Sequence, residues 1–196
     1  MVAQGLAGFV MSRAAIGLYP AGMKWNLSLL AAAALLIAPS LHPAFATAVA
    51  PPQVNLPDLH DLPVTVRAPY DTSANADSDV AAAFAKAKQD GKRVLIELGG
   101  NWCGDCIVLT NVMELPNVAP FVAAHYDVVR VDVGRFNRNL QIPARFGFTK
   151  RLEGVPMVLI ADKNGKLLDR NDTFVFVDAR HMTAQAIVDW LAKYAQ

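Results

Sequence analysis

Residues 93–98 read RVLIEL, an almost continuously apolar run. Such a run suits a strand covered on both faces, which requires helices on either side of a sheet. Directly after it, GGNWCGDCIVL (99–109) holds both of the chain's cysteines, Cys103 and Cys106, beside Trp102. A helix is expected from about residue 103 to Glu114, with Pro116 breaking it, so the pair falls where a strand gives way to a helix. Spacing alone leaves three chemistries open for it: a reactive dithiol, half of a metal site, or a structural disulfide.

The rest of the chain supplies the matching elements. Asp77 or Ser78 is expected to cap a helix, DVAAAFAKAKQDG, that stops at Gly91. Residues 117–125 suit a short helix, and YDVVRVDV (126–133) is a second central strand. Beyond a loop-and-helix region, residues 157–161 and 166–170 flank Asn164-Gly165, a strong hairpin signal. Residues 173–177 extend or follow that hairpin. Thr183 caps a last helix with Ala184, Ile187, Val188, Leu191 and Tyr194 at helical spacing. A βαβ half joined to a ββα half makes one α/β domain over 77–196, with no internal repeat. Ahead of it, residues 51–76 are proline-rich and read as an extended leader, with a short edge strand at 64–67.

From Met23 the sequence shows a basic n-region at Lys24, an apolar run at 27–37, and small-x-small sites ending at Ala46 and Ala50. This is the anatomy of a secretory signal peptide over 23–50, and the run is too short for a comfortable membrane span of ~20 residues. Residues 1–22 read as an upstream extension, with translation expected to start at Met23. The expected destination is the periplasm, with secretion as the alternative. Without residues 1–50 the chain keeps 16 basic and 17 acidic residues, a balance that gives no footing for nucleic acid. An oxidising destination is one in which disulfides persist.

Trp102-Cys103-Gly104-Asp105-Cys106 at a strand-to-helix turn, with Gly154-Val155-Pro156 opening a later strand, resembles the thioredoxin family over roughly residues 77–195. The closer likeness is to exported thioredoxin-like proteins with an acidic residue inside the CxxC. The resemblance implies a single thioredoxin-like domain with a central mixed β-sheet flanked by helices, behind an extended N-terminal leader. It implies a thiol–disulfide oxidoreductase in which Glu97 accepts the proton of Cys106. Arg130, on the neighbouring strand, is the cation expected nearest Glu97. Pro156 matches the family's cis-proline, which with Val155 and Trp102 shapes the surface on which a substrate docks. A membrane reductant-transfer protein would recharge the pair.

Physical chemistry supports the same division of labour. A helix N-terminus favours an anion, so Cys103 is the expected nucleophile. Cys106 lies nearly one turn on, placed to resolve a mixed disulfide. A metal site would need further ligands, but the chain has no other cysteine, and His60, His125 and His181 are far apart in sequence. No bound cofactor is needed, since the disulfide itself carries two electrons. Asp105, next to Gly104 between the cysteines, should oppose the thiolate and tune the couple toward the reducing side. The expected activity is therefore reduction of protein disulfides. The alternatives are an oxidase or isomerase on the same fold, and a binding module with a structural disulfide. Five bases, Arg135, Arg138, Arg145, Lys150 and Arg151, read as a solvated basic face.

Overall fold

A computed structural model describes residues 48–195. Nearly all of the signal-peptide reading, and all of the upstream extension, lies outside the described residues.

The apolar run RVLIEL forms the centre of the sheet. Strand β1 (Arg93–Gly99) pairs in parallel with β2 (Tyr126–Asp132) and antiparallel with β3 (Met157–Ala161), giving the order β2-β1-β3. The sheet is thus mixed, and β1, its middle strand, has six fully buried or nearly buried residues in succession. Val94, Ile96 and Leu98 pack in one apolar cluster with Val80 and Ala87 of helix α1 (Ala76–Asp90). Leu95 packs in the other, with Leu109 and Val112 of α2 (Gly104–Met113). Alternation along β1 therefore serves two cores. Glu97 belongs by register to the second face.

The helices begin and end where local chemistry allows. Asn75 caps α1 through its side chain, which accepts from Ser78 N at 3.1 Å, two or three residues earlier than the cap expected at Asp77 or Ser78. Gly91 ends it with φ of 82°, a left-handed conformation that suits glycine. Helix α3 (Ala119–His125) runs directly into β2, α4 (Gln141–Ala144) is a single turn, and Thr183 caps α5 (Ala184–Lys193). Helix α5 lays Ile187, Val188 and Leu191 on the second core.

Two expected strands do not form, and in both places a side chain takes the role of a backbone partner. Residues 64–67 meet the amide of Asn111 on α2. Its Oδ1 accepts from Thr65 N and Val66 N at 2.8 and 2.9 Å, and its Nδ2 donates to Val66 O at 2.8 Å. Residues 166–170 make only an isolated bridge, Leu167 to Ala161. There Asp169 Oδ1 accepts from Ile160 N at 3.0 Å, so a carboxylate stands in the ladder where a carbonyl would. Residues 171–178 then run as turns, not as an extension of the hairpin. The proline-rich segment is extended, apart from one helical turn at Leu59–Asp61, yet it is docked along the domain. Asn117 donates to Gln53 O at 2.5 Å, and Gln185 accepts from Val54 N at 2.8 Å.

Candidate active site

At the end of β1 the chain turns through Gly100 to Trp102, closing with Cys103 N donating to Gly100 O at 2.9 Å. Cys103 is the N-cap of α2, and its Sγ accepts from Cys106 N at 3.1 Å. The two cysteines are joined as a disulfide, with Cα atoms 5.3 Å apart. Both are buried, Cys106 completely. The free N–H groups of the first helical turn face Cys103, the environment that lowers a thiol's pKa.

The Val155–Pro156 peptide is cis, and Val155 O lies 3.5 Å from Cys103 Sγ. A disulfide sulfur carries no proton, so this is a close approach that becomes a donor–acceptor pair only in the thiol form. Val155, far from the cysteines in sequence, is thus brought against Cys103 Sγ, with Pro156 next to it in the chain.

Glu97 is fully buried, and both of its carboxylate oxygens accept hydrogen bonds. Oε1 accepts from Tyr70 Oη at 2.7 Å and from Thr110 Oγ1 at 3.4 Å, while Oε2 accepts from Arg130 Nε at 3.2 Å. Arg130 is the direct register partner of Glu97 on β2, and it also reaches Glu114 at 3.2 Å. Burial pushes the Glu97 carboxyl above the ordinary carboxylate value. The charge of Arg130 and the bonds from Tyr70, Arg130 and Thr110 pull the other way without cancelling it. A carboxyl raised in this manner takes up a proton more readily than an ordinary carboxylate.

Asp105 is not the unscreened carboxylate that its place between the cysteines suggests. It is nearly buried and held by Arg180, whose backbone N and Nε each donate to Oδ1 at 2.9 Å while Nη2 pairs with Oδ2. Burial pushes the Asp105 carboxyl up, but the Arg180 bonds outweigh that and hold it below its ordinary value. A Cβ on Gly104 would sit 3.5 Å from Arg180 Nη2, so the guanidinium also lies beside the first residue of α2. The negative charge next to Cys103 arrives with its own cation.

Trp102, 40% exposed, is tied to the loop after β2. Its indole N–H donates to Gly134 O at 2.7 Å, its ring meets Phe136 edge-on at 5.9 Å, and the Arg135 guanidinium lies 4.4 Å over it. The basic stretch is only partly a solvated face. Arg138 pairs with Asp132 at 2.8 Å, Arg145 pairs with Asp77, and Arg151 stacks on Phe136 at 5.4 Å. Among the described residues, no group of three or more His, Cys, Asp or Glu side chains is arranged to hold a metal ion.

Tyr70, Asn101, Thr110 and Arg180 were not legible as site residues. Asn101 alone carried a signal, standing in GGNW next to the cysteines. Its amide grips the backbone of Tyr70, accepting from Tyr70 N and donating to Tyr70 O, each at 2.9 Å.

What fold and site define together is a class, a thiol–disulfide oxidoreductase on a thioredoxin-like fold. The sequence model of a thioredoxin-like family matches residues 75–163. The structure is similar to that of a disulphide isomerase from Xylella fastidiosa Temecula1, with 34% identity and a TM-score of 0.60, covering 64% of this chain and 95% of that one. The chain belongs to the thioredoxin-like family. Weaker likenesses reach a DsbH oxidoreductase (26% identity, TM-score 0.36, 45% of this chain and 65% of that one). They also reach the oxidised C-terminal domain of Neisseria meningitidis DsbD (17% identity, TM-score 0.43, 62% and 97%). With TM-scores below 0.5, neither bears on function. No curated protein matches the sequence.

Proposed function

We propose that the protein reduces disulfides in other proteins, with Cys103 as the attacking thiolate and Cys106 as the resolving thiol. One observation carries this reading: Glu97, a fully buried carboxyl raised above its ordinary value, accepts a hydrogen bond from Tyr70 Oη, which lines the space at Gly99 together with Cys106 Sγ. Release of a reduced product requires Cys106 to lose its proton before it attacks Cys103 Sγ, and a buried base of this kind accepts it. Val155, cis-Pro156 and Trp102 form the surface on which an extended substrate docks, and the disulfide serves in place of a bound cofactor. The n-region at Lys24, the apolar run and the small-x-small sites support export to the periplasm. There a reductase must be recharged, and a membrane reductant-transfer protein is the partner we assign. Among the described residues no helix is long and apolar enough to cross a membrane.

Isomerisation is a second reading, favoured by the name of the Xylella fastidiosa structure. It uses the same attack by Cys103 but lets the substrate, not Cys106, resolve the mixed disulfide.

Turbidity from insulin reduction, with dithiothreitol as the recharging thiol, tests the primary reading. The mature protein should accelerate it, Cys103→Ser should abolish the acceleration, and Cys106→Ser should accumulate mixed disulfides. Reactivation of scrambled ribonuclease without insulin reduction would move the assignment to isomerase.

A further inference from the structure

Each oxygen of the Glu97 carboxylate already has a donor, and none of the donors is Cys106. Tyr70 and Thr110 occupy Oε1, and Arg130 occupies Oε2. A proton moving directly from Cys106 to Glu97 would have to enter at the lone pair left on Oε2 beside Arg130, inside a closed core. Residue 99 shows another route. A Cβ built on Gly99 would lie under 3.0 Å from both Tyr70 Oη and Cys106 Sγ, so the hydroxyl and the sulfur flank the space that glycine leaves empty. Tyr70 Oη therefore bonds Glu97 and, with Cys106 Sγ, lines the same space at Gly99.

We propose that the Tyr70 hydroxyl relays the proton between Cys106 and Glu97. The proposal rests on the reductase reading above and adds a residue from the segment that the sequence presents as a leader outside the domain. Cys103 thiolate attacks a substrate disulfide, one substrate sulfur leaves as a thiolate, and a mixed disulfide remains. The Cys106 thiol proton then passes to Tyr70 Oη while the phenolic proton of Tyr70 passes to Glu97 Oε1. Tyr70 is neutral before and after the transfer. The Cys106 thiolate attacks Cys103 Sγ, the bond from Cys103 to substrate breaks, and the second substrate thiolate leaves. The substrate disulfide gains two electrons, the cysteine pair loses them, and the proton rests on Glu97.

Three features fit this role. Tyr70 is buried with its ring fixed, and the Asn101 amide ties its backbone to the residue before Trp102. Burial, followed by the charge of Glu97 and the bond to it, pushes the phenol well above its ordinary value, so it conducts a proton without ionising. The charged groups acting on it are Glu97, Arg130 and Asp132, with Glu114 behind Arg130.

Stopped-flow reaction of the reduced protein with Ellman's reagent resolves the two steps, since attack by Cys103 and resolution by Cys106 each release one coloured thiolate. Tyr70→Phe keeps the ring and removes the hydroxyl. It should slow the second phase about tenfold or more near pH 7 and move its pH midpoint upward, leaving the first phase within about twofold. A second phase within about twofold of wild type across the pH range overturns the relay. Should Tyr70→Phe fail to fold, a proton inventory of the wild-type second phase in mixed light and heavy water decides. Curvature indicates two protons in motion and supports the relay, whereas a straight line contradicts it. A wild-type protein with a first phase and no second defeats the reductase reading itself, and the relay with it.

Discussion

Asp105 and Arg180 show how little a charge's position in sequence says about its effect. A carboxylate between two cysteines should destabilise the neighbouring thiolate, but here it is bonded at three points by an arginine from beyond β3. Arg180→Ala should free that charge, raise the pKa of Cys103 and make the couple more reducing. The shift should be tens of millivolts, at ~30 mV for each ~1.4 kcal/mol lost by the thiolate. Asp105→Asn in the Arg180→Ala background should return most of it. Equilibration with glutathione buffers measures both. Gly99 is the complementary case, since it is required for its emptiness. Gly99→Ala drives a methyl against Tyr70 Oη and Cys106 Sγ and should lower both the melting temperature and the rate of resolution.

Elements that bury one continuous run were legible, while elements that depend on a distant partner were not. RVLIEL, YDVVRVDV and the helix capped by Thr183 carry their periodicity and caps within themselves, and they formed where expected. Residues 64–67 and 166–170 have strand-like composition, but the ladder positions they would fill are taken by Asn111 and Asp169. No local pattern reveals that a side chain will replace a backbone. The site divided along the same line. The cysteines, Glu97 with its register partner Arg130, and Pro156 sit in or beside strands, whereas Tyr70 arrives from an irregular segment and Arg180 from the short 3-10 turn Ala179–His181.

Asn111→Ala removes the anchor of residues 64–67 and should cost about 2–4 kcal/mol, seen in denaturant melts together with faster amide exchange at Thr65 and Val66. Asp169 is buried, and burial pushes its carboxyl up to about 7. The folded state therefore holds this proton more tightly than the unfolded chain. Stability from this group is full at low pH, falls as pH rises from the ordinary carboxylate range toward 7, and is flat above that. Asp169→Asn retains the acceptor for Ile160 N. It should match wild type at low pH and exceed it above neutrality by about 2 kcal/mol or more. Melting temperatures across that range check it.

At the scale of the whole molecule, the proline-rich segment joins the redox site to the rest of the domain. Asn111, Asn117 and Gln185 hold it along its length, and Asn101 places Tyr70 against Glu97. Removal of residues 51–74 should therefore impair resolution by Cys106 even if the cysteine motif and all three strands stay intact. The measurement that bears most directly on the central claim is the reduction potential of the Cys103–Cys106 couple, by equilibrating the mature protein with dithiothreitol and glutathione buffers of known poise. The value should lie at the reducing end, between about −270 and −200 mV, as in thioredoxin and glutaredoxins. A value near about −120 mV, that of a strong periplasmic oxidant, would reverse the direction of electron flow. A disulfide that resists reduction until the protein unfolds would contradict the oxidoreductase account altogether.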